Sequence, residues 1–355
     1  MNGERMQKHF DFLLLGGGPA SVSAAETLRA EGAKGSILLV SDQVYAPYGH
    51  TYLSKQFLFG ALPKEKLLIH SEAYYREQAI DIMLGVAVVG VDTTKRLVRT
   101  DRAGDIHFDK LLIATGTKPI RSTIPGSVLP GIHCLHTLAD AEALRQAAKN
   151  AKRVVVLGGG YLGVETATSL SRMGIRVVLI EESDLLLPQL AAPELSAFFS
   201  RFCAERGIEL RVKDAAAAFQ GGSSVEAVAT RAGDIFPCDL VVVAIGVTPD
   251  LGFLRDSGIQ LGDGILVDQR LETSAPGIFA AGDVANFLDI VFKERRRIEH
   301  WDNAVKQGRL AARNMLGRRL AYDEVSYFFC NILDLRRCRE IIESIWPGGF
   351  LAAMG

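Results

Sequence analysis

The chain has 355 residues, 48% hydrophobic and 23% charged, with 40 lysines and arginines against 41 aspartates and glutamates. That length supports two or three domains of ordinary size in place of one core. The near-zero charge balance excludes a global electrostatic pull toward nucleic acid or an anionic membrane surface, and the first apolar run, residues 12–15, is far too short for a membrane span.

Taken in chain order, the apolar residues 10–15 end at Gly16-Gly17-Gly18, residues 20–30 have helical composition, and residues 36–40 form a second apolar run. This predicts strand, turn, helix and strand, with both strands covered on two faces. In that setting Gly16-x-Gly18-x-x-Ser21, with Pro19 and Ala20 between, offers backbone N–H groups and a positive helix end to a pyrophosphate. Ser21 stands where the fingerprint has glycine or alanine, and taken alone the segment fits an ordinary glycine turn as well. Asp42 ends the second strand. Residues 80–113, broken by Gly85, Gly90 and Gly104, read as an antiparallel meander.

The same grammar returns at residues 153–157, Gly158-Gly159-Gly160, residues 164–173 and residues 177–180. Here Gly158-x-Gly160-x-x-Gly163 is a complete fingerprint. Glu181 closes the following strand, where a carboxylate accepts hydrogen bonds from ribose hydroxyls and repels a 2′-phosphate, so NADH is favoured over NADPH. Glu182 is the alternative carboxylate. Residues 208–245 read as a second meander before Gly246-Val247-Thr248-Pro249; residues 277–283 form a strand ending in Gly282-Asp283, and residues 299–316 a helix.

Two nucleotide sites in one chain are most simply a resident flavin and a diffusing nicotinamide, which exchange a hydride. The ordered set Gly16 to Ala20, Pro47-Tyr48, Leu53-Ser54-Lys55, Ala114-Thr115-Gly116, Gly158 to Glu165, Gly246 to Pro249 and Ala281-Gly282-Asp283 resembles the pyridine-nucleotide-dependent flavoprotein reductases. Leu53-Ser54-Lys55 and the segment Arg297-x-Glu299-His300-Trp301-Asp302-Asn303-Ala304-x-x-Gln307-Gly308 resemble the branch that holds apoptosis-inducing factor and the ferredoxin reductases of bacterial oxygenase systems.

The resemblance implies an α/β protein of two interleaved, three-layer Rossmann-like domains of the FAD/NAD(P)-binding fold. Residues 1–118 and 247–325 would bind FAD, residues 119–246 NADH, and residues 326–355 would form a short tail in place of an interface domain. It implies that Gly16, Gly18, Pro19, Ala20, Ser21, Asp42 and Asp283 hold FAD and that Gly158, Gly160, Tyr161, Leu162, Gly163 and Glu181 hold NADH. His50, Val89, Ala114, Thr115, Gly116, His136, Gly246 and Gly282 complete the cofactor-binding set. Lys55, beside the flavin ring, and Glu165 form the catalytic pair, while Glu299, His300 and Trp301 shape the hydride-transfer pocket. Read without the resemblance, Trp301 fits a core aromatic.

Three departures stand out: His50 and His136 replace arginines of the branch, which implies weaker FAD binding, and Phe329 follows Tyr327-Phe328 where the branch has tryptophan. No cysteine lies in residues 40–60, which disfavours disulfide reductase and peroxidase chemistry. The five cysteines, Cys134, Cys203, Cys238, Cys330 and Cys338, form no Cys-x-x-Cys pair and read as buried or free thiols, with no metal expected. Electrons must then leave to an external acceptor, which the branch implies is a ferredoxin-type iron–sulfur protein; an NADH oxidase or quinone reductase, and a nucleotide-binding protein with little turnover, are the rival readings. Arg295, Arg296, Arg297, Arg309, Arg313, Arg318 and Arg319 fit either a basic docking surface or a solvated helix face. A cytoplasmic protein is expected, with no nucleic-acid or membrane partner, and a homodimer is left open.

Overall fold

The computed structural model describes residues 8–190, 192–290 and 292–325. Within them the chain divides into two compact units, one built from residues up to Gly49, Leu67–Lys118 and the segment from Thr248, the other from His50–Lys66 and Pro119–Val247. Residues 50–66, assigned above to the first segment, cluster with the second unit. Polar and aromatic contacts hold them there: Lys64 pairs with Glu142, and the Arg172 guanidinium lies 4.6 Å over the Phe59 ring. The tail, Tyr327-Phe328-Phe329, Cys330 and Cys338 lie outside the described residues.

In the first unit the strand Lys8–Leu15 runs parallel to Ile37–Val40 on one side and to Asp105–Ile113 on the other. Its Leu13, Leu14 and Leu15 are fully buried, as a strand covered on both faces requires. The expected meander is only partly one. Ile80–Met83 pairs parallel with Ile37–Val40 and extends the parallel sheet, whereas Val88–Asp92, Leu97–Thr100 and the first half of Asp105–Ile113 form the antiparallel part. The second half of Asp105–Ile113 pairs parallel with Ile278–Ala280. The helix Pro19–Ala30 buries Ala20, Val22, Ala24, Ala25 and Leu28 and packs on the helix Trp301–Met315. At that crossing a Cβ on Gly308 would lie 2.2 Å from the Ala20 carbonyl oxygen, so the two helices meet backbone to backbone.

The second unit has an all-parallel sheet in the order Glu209–Val212, Arg176–Glu181, Arg153–Leu157, Leu240–Val243, Ile132–Cys134. The second expected meander is likewise split. Its outer pieces, Glu209–Val212 and Leu240–Val243, belong to the parallel sheet, and Ala216–Gln220, Ala227–Thr230 and Ile235–Pro237 form a separate antiparallel sheet. Thr137 and Asp140 close a capping box at the start of the helix Leu138–Ala148.

Candidate nucleotide-binding and redox sites

The first cradle begins where the strand Lys8–Leu15 stops. Gly16 has φ +115°, and a Cβ there would lie 2.2 Å from the Ala114 carbonyl oxygen, so glycine is required by both backbone angle and contact. Gly18 precedes the helix Pro19–Ala30 without capping it through a side chain, and a Cβ on Gly18 would meet nothing within 4 Å. In the first turn of that helix Ser21 is fully buried, and its hydroxyl has no hydrogen-bond partner among the described residues; the Thr115 hydroxyl is in the same condition. A buried hydroxyl without a partner costs on the order of 1–3 kcal/mol. Open space over an uncapped helix end, beside an orphaned hydroxyl, fits the pyrophosphate of a dinucleotide. Asp42 is exposed just past the strand Ile37–Val40, Gly116 has φ +66°, and Val89 lies on the open face of its strand.

Gly282 has φ +76° and donates its N–H to the Gln307 side-chain oxygen, which sets the course of the backbone into Asp283. Burial pushes the half-buried Asp283 carboxyl up to about 7; Glu299 raises it further, and the Arg297 guanidinium opposes both. Its folded value lies above the ordinary 3.8, so the stability this group contributes is fully present below about 4 and is lost as pH rises through about 7. The variant Asp283→Asn is therefore expected to gain in unfolding free energy over wild type progressively from about pH 4 to pH 7 in the flavin-free protein, checked by urea unfolding at several pH values. A gain of equal size at every pH would contradict the burial of this carboxyl.

The helix expected from residue 299 begins at Trp301. The His300 side chain caps it by accepting the Asp302 N–H at 3.3 Å, and Glu299 pairs with Arg297 at 2.9 Å. Trp301 is 41% exposed on the first turn, so the core-aromatic reading does not hold.

The second cradle repeats the first with tighter contacts. Gly158 has φ +98°, and its Cβ would lie 2.3 Å from the Ala244 oxygen; a Cβ on Gly163 would lie 1.8 Å from the Gly158 oxygen. Gly160 precedes the helix Tyr161–Arg172, again with no side-chain cap, and Tyr161 and Leu162 line its first turn half-buried. Both oxygens of Glu181 are anchored on the turn: one accepts the Gly159 N–H at 2.5 Å, the other the Ser183 N–H at 2.7 Å. Glu182 points elsewhere and pairs with Arg231 at 2.6 Å. A fixed carboxylate at a strand end beside an uncapped helix fits an adenosine ribose and its pyrophosphate. Gly246 has φ +118°, and its carbonyl accepts the Ile120 N–H.

The second unit also brings together Lys55 and Glu165, 110 positions apart in the chain, at 2.6 Å. Glu165 lies on the buried face of the helix Tyr161–Arg172, 8% exposed. Its other oxygen accepts the Ser54 hydroxyl at 2.5 Å, and the Ser54 carbonyl accepts the Ser169 hydroxyl at 2.7 Å. The sequence reading names neither serine as a site residue. The signal was present in Ser54 beside Lys55 and in Ser169 one helical turn after Glu165. The His50 and His136 rings lie with centroids 6.4 Å apart, tilted 48° to one another.

The arginine-rich segments do not present a plain basic surface, because carboxylates and carbonyls engage most of them. Arg296 pairs with Asp289, Arg297 with Asp263, and Arg313 and Arg318 with Glu31, while Arg295 donates to the Val267 and Asn286 carbonyls. Burial pushes the Cys203 thiol up to about 12 and Cys238 up to about 11, so neither is a nucleophile near neutral pH. Among the described residues no cluster of histidine, cysteine or carboxylate side chains could hold a metal ion, and no helix is long and apolar enough to cross a membrane.

Comparison with known proteins matches residues 10–308 to the family described as pyridine nucleotide-disulphide oxidoreductase. The 5,5'-dehydrodivanillate O-demethylase ferredoxin reductase subunit of Sphingobium sp. is 34% identical over 331 residues, covering 92% of this chain and 80% of that protein. The biphenyl dioxygenase system ferredoxin–NAD(+) reductase component of Paraburkholderia xenovorans is 34% identical over 94% of this chain and 81% of its own length. Among solved structures, a ferredoxin reductase from Rhodopseudomonas palustris superposes with TM-score 0.88 at 32% identity, covering 91% of this chain and 80% of that one. The reductase in the covalent putidaredoxin reductase–putidaredoxin complex superposes with TM-score 0.87 at 30% identity, covering 92% and 79%.

Proposed function

The chain belongs to the pyridine nucleotide-disulphide oxidoreductase family, in its ferredoxin reductase-like branch, and from that premise we propose that it draws electrons from NADH through FAD and delivers them to a ferredoxin-type iron–sulfur protein. The observation that carries this is the pair of glycine cradles, each ending a buried parallel strand at an uncapped helix N-terminus, in a chain with no cysteine in residues 40–60 to receive the electrons internally. FAD, when bound, accepts a hydride from the nicotinamide and releases electrons one at a time.

The residues divide the work. The Gly16 cradle, with Ser21 and Asp283, holds FAD; the Gly158 cradle, with Glu181, holds NADH. The charge of Lys55 would offset the electrons entering the flavin, and Glu165 holds that ammonium in place at 2.6 Å. A cytoplasmic setting is part of the same proposal.

The purified protein is expected to be yellow, to bleach on anaerobic addition of NADH, and to reduce cytochrome c only when a ferredoxin is added. A colourless protein that FAD cannot reconstitute would overturn the flavin assignment, and fast ferredoxin-independent turnover with oxygen or quinone would overturn the acceptor. The variant Glu181→Ala is expected to weaken NADH binding roughly tenfold or more, since hydrogen bonds to a charged group contribute about 1.5–3 kcal/mol, with FAD content unchanged. Titration of NADH by fluorescence checks this, and an unaltered affinity would remove Glu181 from the site.

A further inference from the structure

Building on the assignment of Lys55 and Glu165 above, we infer that Ser54 is a positioning residue for that pair and that Ser169 is its counter-anchor. Two adjacent residues of one turn grip a single carboxylate: the Ser54 hydroxyl donates to one oxygen of Glu165 at 2.5 Å and the Lys55 ammonium to the other at 2.6 Å. Ser54 is 4% exposed and Ser169 fully buried, so neither hydroxyl has ready access to water.

Glu165 and Ser169 are one turn apart on the helix Tyr161–Arg172, which closes a ring. Ser54 donates to Glu165, and Ser169 donates back to the Ser54 carbonyl at 2.7 Å. The other buried hydroxyls of this helix bond inward to their own backbone, Thr166 to the Leu162 carbonyl and Thr168 to those of Val164 and Glu165. Ser169 instead reaches off the helix, to the carbonyl of the residue that holds Glu165.

The ring has a chemical consequence. Burial disfavours an ionised carboxylate, and each donor to its charged form offsets that penalty. Without the Ser54 hydroxyl, Glu165 takes up a proton more readily, and a protonated Glu165 neither attracts nor orients the Lys55 ammonium. Of the charged groups on the neighbouring elements, Arg172 lies over Phe59, Arg153 pairs with Asp239, Glu181 is anchored on its turn, and Arg176 is exposed at the start of its strand. Lys55 is the charged partner that the turn supplies.

The test uses the FAD-loaded protein with carbon-13-labelled glutamate. The Glu165 carboxylate resonance is assigned with Glu165→Gln and titrated by NMR in the absence of NADH, and flavin reduction by NADH is followed by stopped flow across pH. Ser54→Ala is expected to move the Glu165 midpoint upward relative to wild type, because the charged carboxylate loses a donor. Flavin reduction is expected to slow roughly tenfold on the acid side and to recover as pH rises, an effect of the size that one hydrogen bond to a charged group contributes. Ser54→Thr, which keeps the hydroxyl, is expected to restore both. An unchanged Glu165 titration in Ser54→Ala, or a rate lowered equally at every pH, overturns the inference, since a merely structural stitch would give the latter.

If Ser54→Ala fails to fold, Ser169→Ala is expected to move the Glu165 midpoint in the same direction by less, and no movement overturns the inference. A wild-type rate in Glu165→Gln overturns the underlying assignment of the pair. A slow Glu165→Gln with an unshifted Ser54→Ala overturns the role of Ser54 alone.

Discussion

Lys55→Ala is expected to slow the bleaching of flavin by NADH by roughly 10²–10³-fold, the range seen when a preorganised group facing developing charge is removed. The ammonium and the Glu165 carboxylate have side chains only 13% and 10% exposed, so the charge acts in a medium that screens it far less than water does. Removing one member of a buried pair leaves the other buried and uncompensated, at about 3–5 kcal/mol where burial is complete. The slight exposure here and the remaining Ser54 donor place the loss near the lower end of that range. The variant should therefore fold with a lowered urea midpoint and keep its FAD. Lys55→Arg retains the charge but spreads it over a planar fork that does not match a compact ammonium, and it should recover only part of the rate. Anaerobic stopped-flow absorbance measures both variants, and a near-wild-type rate in Lys55→Ala would remove the pair from the chemistry.

The second large effect is expected at Gly163. A Cβ there would lie 1.8 Å from the Gly158 carbonyl oxygen, which is backbone and cannot rotate away. Gly158 itself is held: its N–H donates to the Ile180 carbonyl at 2.8 Å, and its own Cβ position is closed by the Ala244 oxygen. Overpacking a fitted interior ordinarily costs about 1–3 kcal/mol, and occasionally more. Backbone held against backbone puts Gly163→Ala at about 3 kcal/mol or above. The helix must lift from the strand end, so NADH affinity should fall by more than roughly tenfold, each tenfold being about 1.4 kcal/mol. Gly160→Ala is the matched control: its Cβ would meet only the Gln189 side-chain nitrogen at 3.5 Å, an ordinary contact, and it should fold normally. Urea unfolding and NADH titration check both substitutions, and a Gly163→Ala protein as stable as Gly160→Ala would mean that the close approach is not real.

The two cradles were legible because each is written in a short stretch of chain. A buried apolar run, a glycine where φ must be positive and a helix immediately afterwards are demands the local backbone makes on local residue types, as Gly16 and Gly158 illustrate. The strand that carries Glu181 could be read for the same reason. Which of Glu181 and Glu182 serves the turn could not: in the fold Glu181 accepts the Gly159 and Ser183 N–H groups, while Glu182 pairs with Arg231, far along the chain.

The strands were harder to sort. Ile80–Met83, Glu209–Val212 and Leu240–Val243 alternate or run apolar just as meander strands do, but each pairs parallel within a central sheet. Residue pattern reports that a strand is buried and on which faces; it carries no record of the neighbour it pairs with. The arginines show the same limit in part: Asp289 reaches Arg296 from the adjacent strand of one hairpin, but Asp263 and Glu31, which pair with Arg297 and Arg313, come from distant segments.

By itself, then, the amino-acid sequence determined what adjacent residues decide: two glycine turns, each between a buried strand and a helix, and a strand after the second that ends in carboxylates. Tertiary structure alone decided the grip on Glu165, because Ser54 and Lys55 reach it across 111 and 110 positions of chain. A hydrogen bond exists only where folding brings donor to acceptor in a place water cannot compete, and the order of residues along the chain does not specify that meeting.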